Sequence, residues 1–265
     1  MSFHFPSNFR SALVALMLMV CFFMTEGCDT SRVVPRGSGG DETAMRINRS
    51  ARIAYDNGQL EQAANLYRQA LNRAYLRDDR QAVVDAQYNL AVCMLALRSY
   101  DEALVWVHRA QRELVYDQQR VTVDFLLLEA VILFRTGDPD SAWRITDKIL
   151  SVPELSPVTV AGKTHFLRGL IADQRGDSDQ LSREITALAK YTDPGGQADH
   201  KELTGRLARL AGNWERAIEA FDETARLRRQ DRDYGEMAQA LALAADACRQ
   251  AGHPKRAAVR YLRAG

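Results

Sequence analysis

The chain has 265 residues, of which 46% are hydrophobic and 26% are charged, a globular balance that excludes a disordered chain. Its 35 Lys and Arg residues match its 34 Asp and Glu residues, so the charge argues against nucleic acid as the partner. The 4 cysteines form no CxxC pair, which excludes a dense disulfide framework. Cys93 and Cys248 fall on apolar helix faces, where we expect small buried side chains.

The first feature along the chain is an apolar run from Ala12 to Met24, which contains 13 residues without a charge and follows Arg10. A helix needs about 20 apolar residues to span a bilayer, so this run has the length of a signal-peptide core with its positive flank. We therefore expect residues 1–28 to be a signal peptide. A short uncleaved anchor is the alternative.

The leader ends in Thr25, Glu26, Gly27 and Cys28. This stretch resembles the lipoprotein signal, in which small residues precede an invariant cysteine; Gly27 fits that pattern and Glu26 departs from it. The resemblance implies that Cys28 carries lipid and that the protein is exported and anchored to a bacterial cell membrane. Its folded part would then face the periplasm or the outside. The choice between inner and outer membrane stays open.

A polar segment follows the cysteine. Residues 29–43, "DTSRVVPRGSGGDET", contain 3 glycines and no helical period, which indicates a flexible tether. About 15 residues of this composition have a root-mean-square reach of roughly 20 Å. That reach would hold a folded domain just off a membrane surface.

From Ala44 onward one pattern recurs six times, with repeats that start near residues 44, 84, 123, 162, 198 and 238. In each repeat an apolar helix ends at a turn, usually with glycine, and an amphipathic helix follows. Arg98 takes the glycine position in the second repeat. The second helices share a position at spacings of 40, 39, 39, 36 and 40 residues, occupied by Ala63, Ala103, Ala142, Leu181, Ala217 and Ala257. A period of this size predicts an all-α solenoid of about six helix-turn-helix repeats.

These repeats resemble the tetratricopeptide repeat family, in its variety with long repeats of about 40 residues, over Ala44 to Gly265. Gly169 and Gly205 stand at the family's small position in the first helix. The resemblance implies a right-handed superhelix whose concave face is lined by the first helix of each pair. It also implies that this groove takes a peptide or a helix of a partner protein.

Carried over from the family, the lining positions form a candidate groove. It is expected to be apolar and aromatic in the middle and rich in arginine toward the C-terminus, which suits a segment with an apolar anchor and an acidic end. The alternative is that the apolar positions pack against neighbouring helices. The candidate groove residues are Asn48, Arg52, Tyr55, Tyr88, Val92, Leu95, Leu127, Val131, Phe134, Phe166, Leu170, Arg206, Arg209 and Arg249, with Glu202 and Asp246 beside the arginines.

Signals of catalysis are missing from the sequence. It contains no nucleophile elbow, zinc-protease motif or phosphate-binding loop, so we expect no enzyme, no catalytic residue and no cofactor. The histidines lie in separate repeats, so no metal site is expected. The run of Arg226, Arg228, Arg229 and Arg232 is expected to form a solvated face rather than an anion site.

Together these features predict a membrane-tethered extracytoplasmic adaptor or scaffold. It would bind a partner protein or peptide in its groove, with the assembly or regulation of an envelope complex as its role. A structural subunit that assembles with further copies of itself is the alternative.

Overall fold

A computed structural model of the protein describes residues 41–117, 121–151 and 157–264. The predicted signal peptide, Cys28 and nearly all of the predicted tether lie outside the described residues. The described ranges contain 12 α-helices and no strand. The helices are α1 (Glu42–Asp56), α2 (Leu60–Leu76), α3 (Arg80–Ala96), α4 (Tyr100–Tyr116), α5 (Val123–Thr136), α6 (Pro139–Leu150), α7 (Val158–Arg175), α8 (Ser178–Leu188), α9 (Pro194–Leu210), α10 (Trp214–Gln230), α11 (Tyr234–Gln250) and α12 (Pro254–Ala264).

Consecutive helices form six pairs, α1/α2 to α11/α12, within the unit Thr43–Gly265. Each odd-numbered helix is the first of its pair, and the first helices of neighbouring pairs contact each other from α3 to α9. The predicted all-α solenoid of six helix-turn-helix repeats is confirmed. Among the described residues, no helix has both the length and the hydropathy to cross a membrane.

The turn inside each pair contains a left-handed residue, and in the third, fourth and fifth pairs a capping side chain follows it. Gly137 has φ +92° and ends α5, and the next residue, Asp138, accepts a hydrogen bond at 2.9 Å from the backbone N–H of Ser141 in α6. Such a cap satisfies one of the free N–H groups at a helix start. Arg98 occupies the same kind of turn with φ +60°, a conformation that costs about 1–2 kcal/mol for a residue with a Cβ. The turn therefore keeps its left-handed conformation although arginine stands in place of glycine.

Small residues allow the close packing of the pairs. The shared second-helix position is buried in all six repeats, with 0% of each side chain exposed except for 4% at Ala257. In the first helices, a Cβ added to Gly169 would lie 2.1 Å from Leu203 Cδ1, and one added to Gly205 would lie 2.7 Å from Phe221 Cε1. Helix α9 therefore contacts both α7 and α10 at distances that exclude any side chain at these two positions.

The core changes along the solenoid. From α1 to α5, an apolar cluster that includes Leu90, Cys93 and Ile132 runs through three repeats. From α7 to α10, the buried residues include Asp173, Glu184, Asp199, Glu202 and Arg228. Buried charges need partners inside the protein, and each of these residues has an ion-pair partner on another helix or, for Glu202, within α9.

Candidate functional site

Helices of different repeats surround one cleft on the concave side. Its volume is roughly 220 Å³, and its floor consists of Val131 and Phe134 from α5 and Phe166 and Leu170 from α7. Glu236 of α11 lines the opposite wall. Since α5 and α11 are the first helices of the third and sixth repeats, the solenoid curves strongly enough to bring them to the same cleft.

A second cleft adjoins the first and extends toward α9. It has a volume of roughly 380 Å³, shares Phe134, Phe166 and Glu236 with the first cleft, and also includes Glu202 and Arg206. The two clefts together are called the central groove below. It combines an apolar floor with charged walls, which are the two parts expected of a site for a protein segment.

The environment of Tyr55 supports the strong curvature. Burial raises the pKa of this tyrosine in α1, and the nearby Cys93, Asp56 and Asp233 raise it further. Asp233 is the N-terminal cap of α11, where its side chain accepts a hydrogen bond at 3.1 Å from the N–H of Glu236. The start of α11 therefore lies near the first repeat as well as the third.

The arginines of α9 are paired within the protein. Arg206 donates to Asp173 at 2.9 Å and to Glu202 at 2.7 Å, and Arg209 donates to Asp173 at 2.7 Å. Burial alone would lower the pKa of Arg206, but Glu202 and Asp173 outweigh it and raise the pKa. The expected cationic end of the groove is therefore neutralised by two buried carboxylates.

A second ionic cluster joins α7, α9 and α10. The buried Asp199 accepts a hydrogen bond from Arg228 and another, at 2.8 Å, from Lys163 Nζ. The expected solvated face is wrong for Arg228, whose side chain is 5% exposed. Arg228 lies two turns after Phe221, on the α10 face that packs against α9, so its stem is buried.

Glu236 differs from the other carboxylates of the central groove. Within the described residues its side chain has no hydrogen bond or ion pair, although it is half-buried. Burial raises the pKa of Glu236; Glu202 and Asp233 raise it further, while Arg228 and Lys163 oppose them. Removal from water without a cation of its own is the physical cause of this shift.

The end of α5 brings a charge opposite to that of Glu236 into the groove. Arg135, at the end of α5, lines both clefts and is exposed. In the described part of the chain it has no ion-pair partner. The groove is therefore lined by carboxylates from α11 and by an arginine from the end of α5, together with the phenylalanine floor.

The candidate groove residues from the sequence fall into separate environments. Val131, Phe134, Phe166, Leu170 and Arg206 line the central groove. Others are half-buried against the hydrophobic clusters, namely Tyr55, Tyr88, Val92, Leu95 and Leu127. Asn48, Arg52 and Arg249 are exposed elsewhere on the first helices. The binding role of all these residues stays a prediction.

Tyr88 illustrates the packing alternative. Its ring meets Phe125 edge-on, with ring centroids 5.0 Å apart, so it stabilises the contact between α3 and α5. For the half-buried residues of the first two repeats, packing against neighbouring helices accounts for their apolar character.

Sequence reasoning missed the wall formed by Asp233 and Glu236. When the lining positions of the first helices are carried over to α11, they fall on Asp246 and Arg249, near its C-terminal end. The curvature instead brings the N-terminal end of α11 to the groove. An Asp cap followed by Glu in the first turn is typical of any helix start, so the local sequence carries no distinguishing signal.

The half-buried His165 belongs to a structural cluster. Its Nδ1 lies 2.7 Å from Glu184 Oε2, and Arg168 Nε donates to the other oxygen at 2.9 Å, which ties α7 to α8. Burial would raise the pKa of Glu184, but these two partners lower it. Among the residues that the structure describes, no group of three or more His, Cys, Asp or Glu side chains could hold a metal ion.

Comparisons with known proteins agree with this architecture. Residues 48–114 match the family described as tetratricopeptide repeat. A search of curated proteins finds no match to the sequence.

Several solved structures are similar in fold. The structure of PilW, a widely conserved type IV pilus biogenesis factor, is 16% identical with a TM-score of 0.54, over 83% of this chain and 91% of that one. NprR in complex with its cognate peptide NprX is 8% identical with a TM-score of 0.64, over 96% of this chain and 72% of that one. BtubC from P. vanneervenii is 16% identical with a TM-score of 0.51, over 84% and 90%.

Identities this low establish a shared fold only. The tetratricopeptide repeat match covers residues 48–114, and the six helix pairs share their fold with these solved structures.

Proposed function

We propose that this protein is a membrane-tethered extracytoplasmic scaffold that binds a segment of a partner protein in its central groove. The observation that carries the proposal is the open phenylalanine floor formed by Phe134 and Phe166 on the concave side. Both side chains are half-buried, and apolar side chains that line a cleft are typical of a binding site. The similar fold of NprR, which holds a peptide in its solved structure, supports this use of the groove.

The anchor in this proposal rests on the sequence. Gly27 and Cys28 end the apolar leader, and the glycine-rich residues 29–43 would connect a lipid on Cys28 to the solenoid. Assembly or regulation of an envelope complex is the role that we propose for a scaffold held in this way. The similar fold of a pilus biogenesis factor supports that class of role.

A structural subunit that assembles with further copies is the second candidate. It is favoured by the exposed apolar side of α12, where Val259 is 57% and Leu262 is 83% exposed. Light scattering of the purified protein separates the candidates, because a monomer at high concentration contradicts self-assembly.

The test of the first candidate is a crosslinked pull-down from intact cells with four versions of the full chain. These are the wild type, Cys28→Ser, the pair Phe134→Ala and Phe166→Ala, and a control pair Val259→Ala and Leu262→Ala. We expect one envelope protein with the wild type and the control pair, and its loss with the groove pair, whose folding is checked by a thermal melt. Equal capture by the groove pair and the control pair would contradict the proposal.

The N-terminal peptide mass from the same material tests the anchor. We expect a lipidated Cys28 in the wild type and none in Cys28→Ser, together with weaker capture of the envelope partner by that variant. An unmodified N-terminus in the wild type would overturn the tether and leave the groove to be judged by the phenylalanine pair.

A further inference from the structure

We propose that the central groove selects a partner segment in which a basic side chain stands beside an apolar anchor. The anchor would lie on Phe134 and Phe166, and the basic group would pair with Glu236. This inference rests on the proposed function, since it names the chemistry of the segment that the groove would bind.

The first step is the charge balance of the groove. Asp173 and Glu202 are matched by Arg206 and Arg209, so their charges are already satisfied inside the protein. An acidic ligand in this part of the groove would meet cations whose charge is already balanced by these two carboxylates. The acidic end that the sequence suggested for the ligand is therefore disfavoured at α9.

The second step concerns the cations nearest to Glu236. Arg228 of α10 and Lys163 of α7 oppose the raised pKa of this carboxyl, but both donate to Asp199 instead. Glu202 of α9 and Asp233 at the start of α11 face Glu236 with like charge. A cation supplied by a ligand would therefore find a carboxylate without a direct partner, next to two like charges and partly shielded from water.

The third step concerns free energy. A half-buried carboxyl without a partner destabilises the fold in its ionised form, and natural proteins retain such groups mainly where function needs them. Glu236 lines both clefts of the groove beside the phenylalanine floor. A lysine or arginine side chain would remove the penalty on binding, while its neighbour in the segment covers the apolar floor.

Arg135 gives the segment a direction. It lines both clefts from the end of α5, whereas Glu236 lines them from α11. A segment with its basic group at α11 would therefore direct any acidic or carboxyl-terminal group toward the end of α5. The reverse orientation would place like charges together on both walls, which costs affinity.

The test uses synthetic peptides and the full chain purified in detergent. Four peptides of identical length carry one Phe anchor and differ only at the next residue, which is Lys, Arg, Gln or Glu. Fluorescence anisotropy measures the dissociation constants. We expect the Lys and Arg peptides to bind about tenfold more tightly than the Glu peptide, as is typical of a partly desolvated ion pair, with the Gln peptide between them.

Two matched variants assign the preference to one residue. Glu236→Gln should abolish the difference between the Lys and Glu peptides, whereas Glu219→Gln, on the exposed face of α10, should preserve it. The Lys peptide should also lose affinity as salt concentration rises, and the Gln peptide should lose less. Because Glu236→Gln removes a destabilising charge, loss of folding does not confuse the result.

Three outcomes would overturn the inference: equal affinity for the Lys and Glu peptides, no binding of any peptide at millimolar concentration, or equal effects of the two Gln variants. The cellular pull-down keeps the proposed function separate. If the phenylalanine pair loses its partner in cells while no charge preference exists, the groove function stands and the basic segment is wrong. If the phenylalanine pair keeps its partner, the groove function itself fails.

Discussion

Helices α1 to α4 and helices α7 to α10 are built from the same kind of helix pair but have different interiors. Among the described residues of α1 to α4, Gln87 is the buried side chain that is polar, and it stands among apolar neighbours such as Leu90. Helices α7 to α10 instead bury Asp199 and Arg228 along with three further acidic side chains. The repeat therefore does not require an apolar interior. Where charges are buried, they have oppositely charged partners, and those that line the groove, Asp173, Glu202 and Arg228, contribute to its polarity.

The largest expected effect comes from breaking the ionic cluster in the C-terminal part. Asp199→Ala would leave Arg228 buried without its hydrogen-bonded carboxylate, so we expect the free energy of unfolding to fall by about 3–5 kcal/mol. Asp246→Ala removes an exposed carboxylate paired with Arg249 and should cost no more than about 1 kcal/mol. Urea unfolding measures both; similar losses would contradict a special role for burial.

The apolar end should respond differently. Leu90→Ala removes a side chain that is 0% exposed and leaves a cavity, so we expect a loss of about 2–5 kcal/mol in the free energy of unfolding. Leu76→Ala, at a position that is 88% exposed, is the matched control and should be nearly neutral. The loss for Leu90→Ala should not change with salt or between about pH 5 and pH 8. A strong salt dependence there would show that the two ends do not differ as described.

Adding a side chain at a close contact between two helices should have a smaller effect on the free energy of unfolding. Gly205→Ala would place a Cβ against the ring of Phe221, so we expect it to destabilise by about 1–3 kcal/mol although alanine is the better helix former. In Gly235→Ala, the nearest atom to the new Cβ is an Asp233 oxygen at 3.9 Å, so this substitution should be neutral or slightly stabilising. Thermal unfolding compares the two, and equal midpoints would contradict the tight contact between α9 and α10.

The smallest expected effect depends on pH and has opposite signs at two glutamates. The fold raises the pKa of Glu236 above its ordinary value of 4.5, so the ionised carboxyl destabilises the fold at neutral pH and stops doing so as pH falls below that value. Glu236→Gln should therefore raise the melting temperature at pH 7 and leave it unchanged near about pH 4. A lower melting temperature at pH 7 would mean that Glu236 has a stabilising partner.

Glu184 provides the matched opposite case. The fold lowers its pKa below the ordinary value of 4.5, so its ionised form stabilises the fold above that value, and the gain is lost as pH falls through the lowered pKa. Glu184→Gln should lower the melting temperature at pH 7 and have less effect in acid. Effects of the same sign at both glutamates would contradict the difference between a paired and an unpaired carboxylate.

The periodic features of the sequence predict the fold, because a repeat spacing depends only on local helix geometry. The buried positions from Ala63 to Ala257 and the small residues Gly169 and Gly205 follow directly from that spacing. Arg98 breaks the glycine pattern of the turns, and the structure has a left-handed turn there as well. These features belong to single repeats or to neighbouring ones, where one sequence carries enough information.

The site is predicted less well, because it depends on contacts between distant repeats. Phe134 and Phe166 were found because the lining positions of the tetratricopeptide repeat family were carried over to the first helices, and both line the groove. Glu236 was missed because the curvature that brings α11 to α5 accumulates over three repeats. The burial of Arg228 was missed for a related reason, since its partner Asp199 lies on another helix and no spacing rule connects them.

Photo-crosslinking from inside the groove measures most directly whether partners bind there. Two variants of the full chain are made in living cells, each with one photoreactive phenylalanine. In the first it replaces Gln239, which is exposed and lines the groove. In the control it replaces Glu219, on the exposed face of α10. We predict one dominant protein adduct from position 239, lost with Phe134→Ala and Phe166→Ala, and no such adduct from position 219. The same adducts from both positions, or an adduct from 239 that survives loss of the phenylalanines, would contradict binding in the groove.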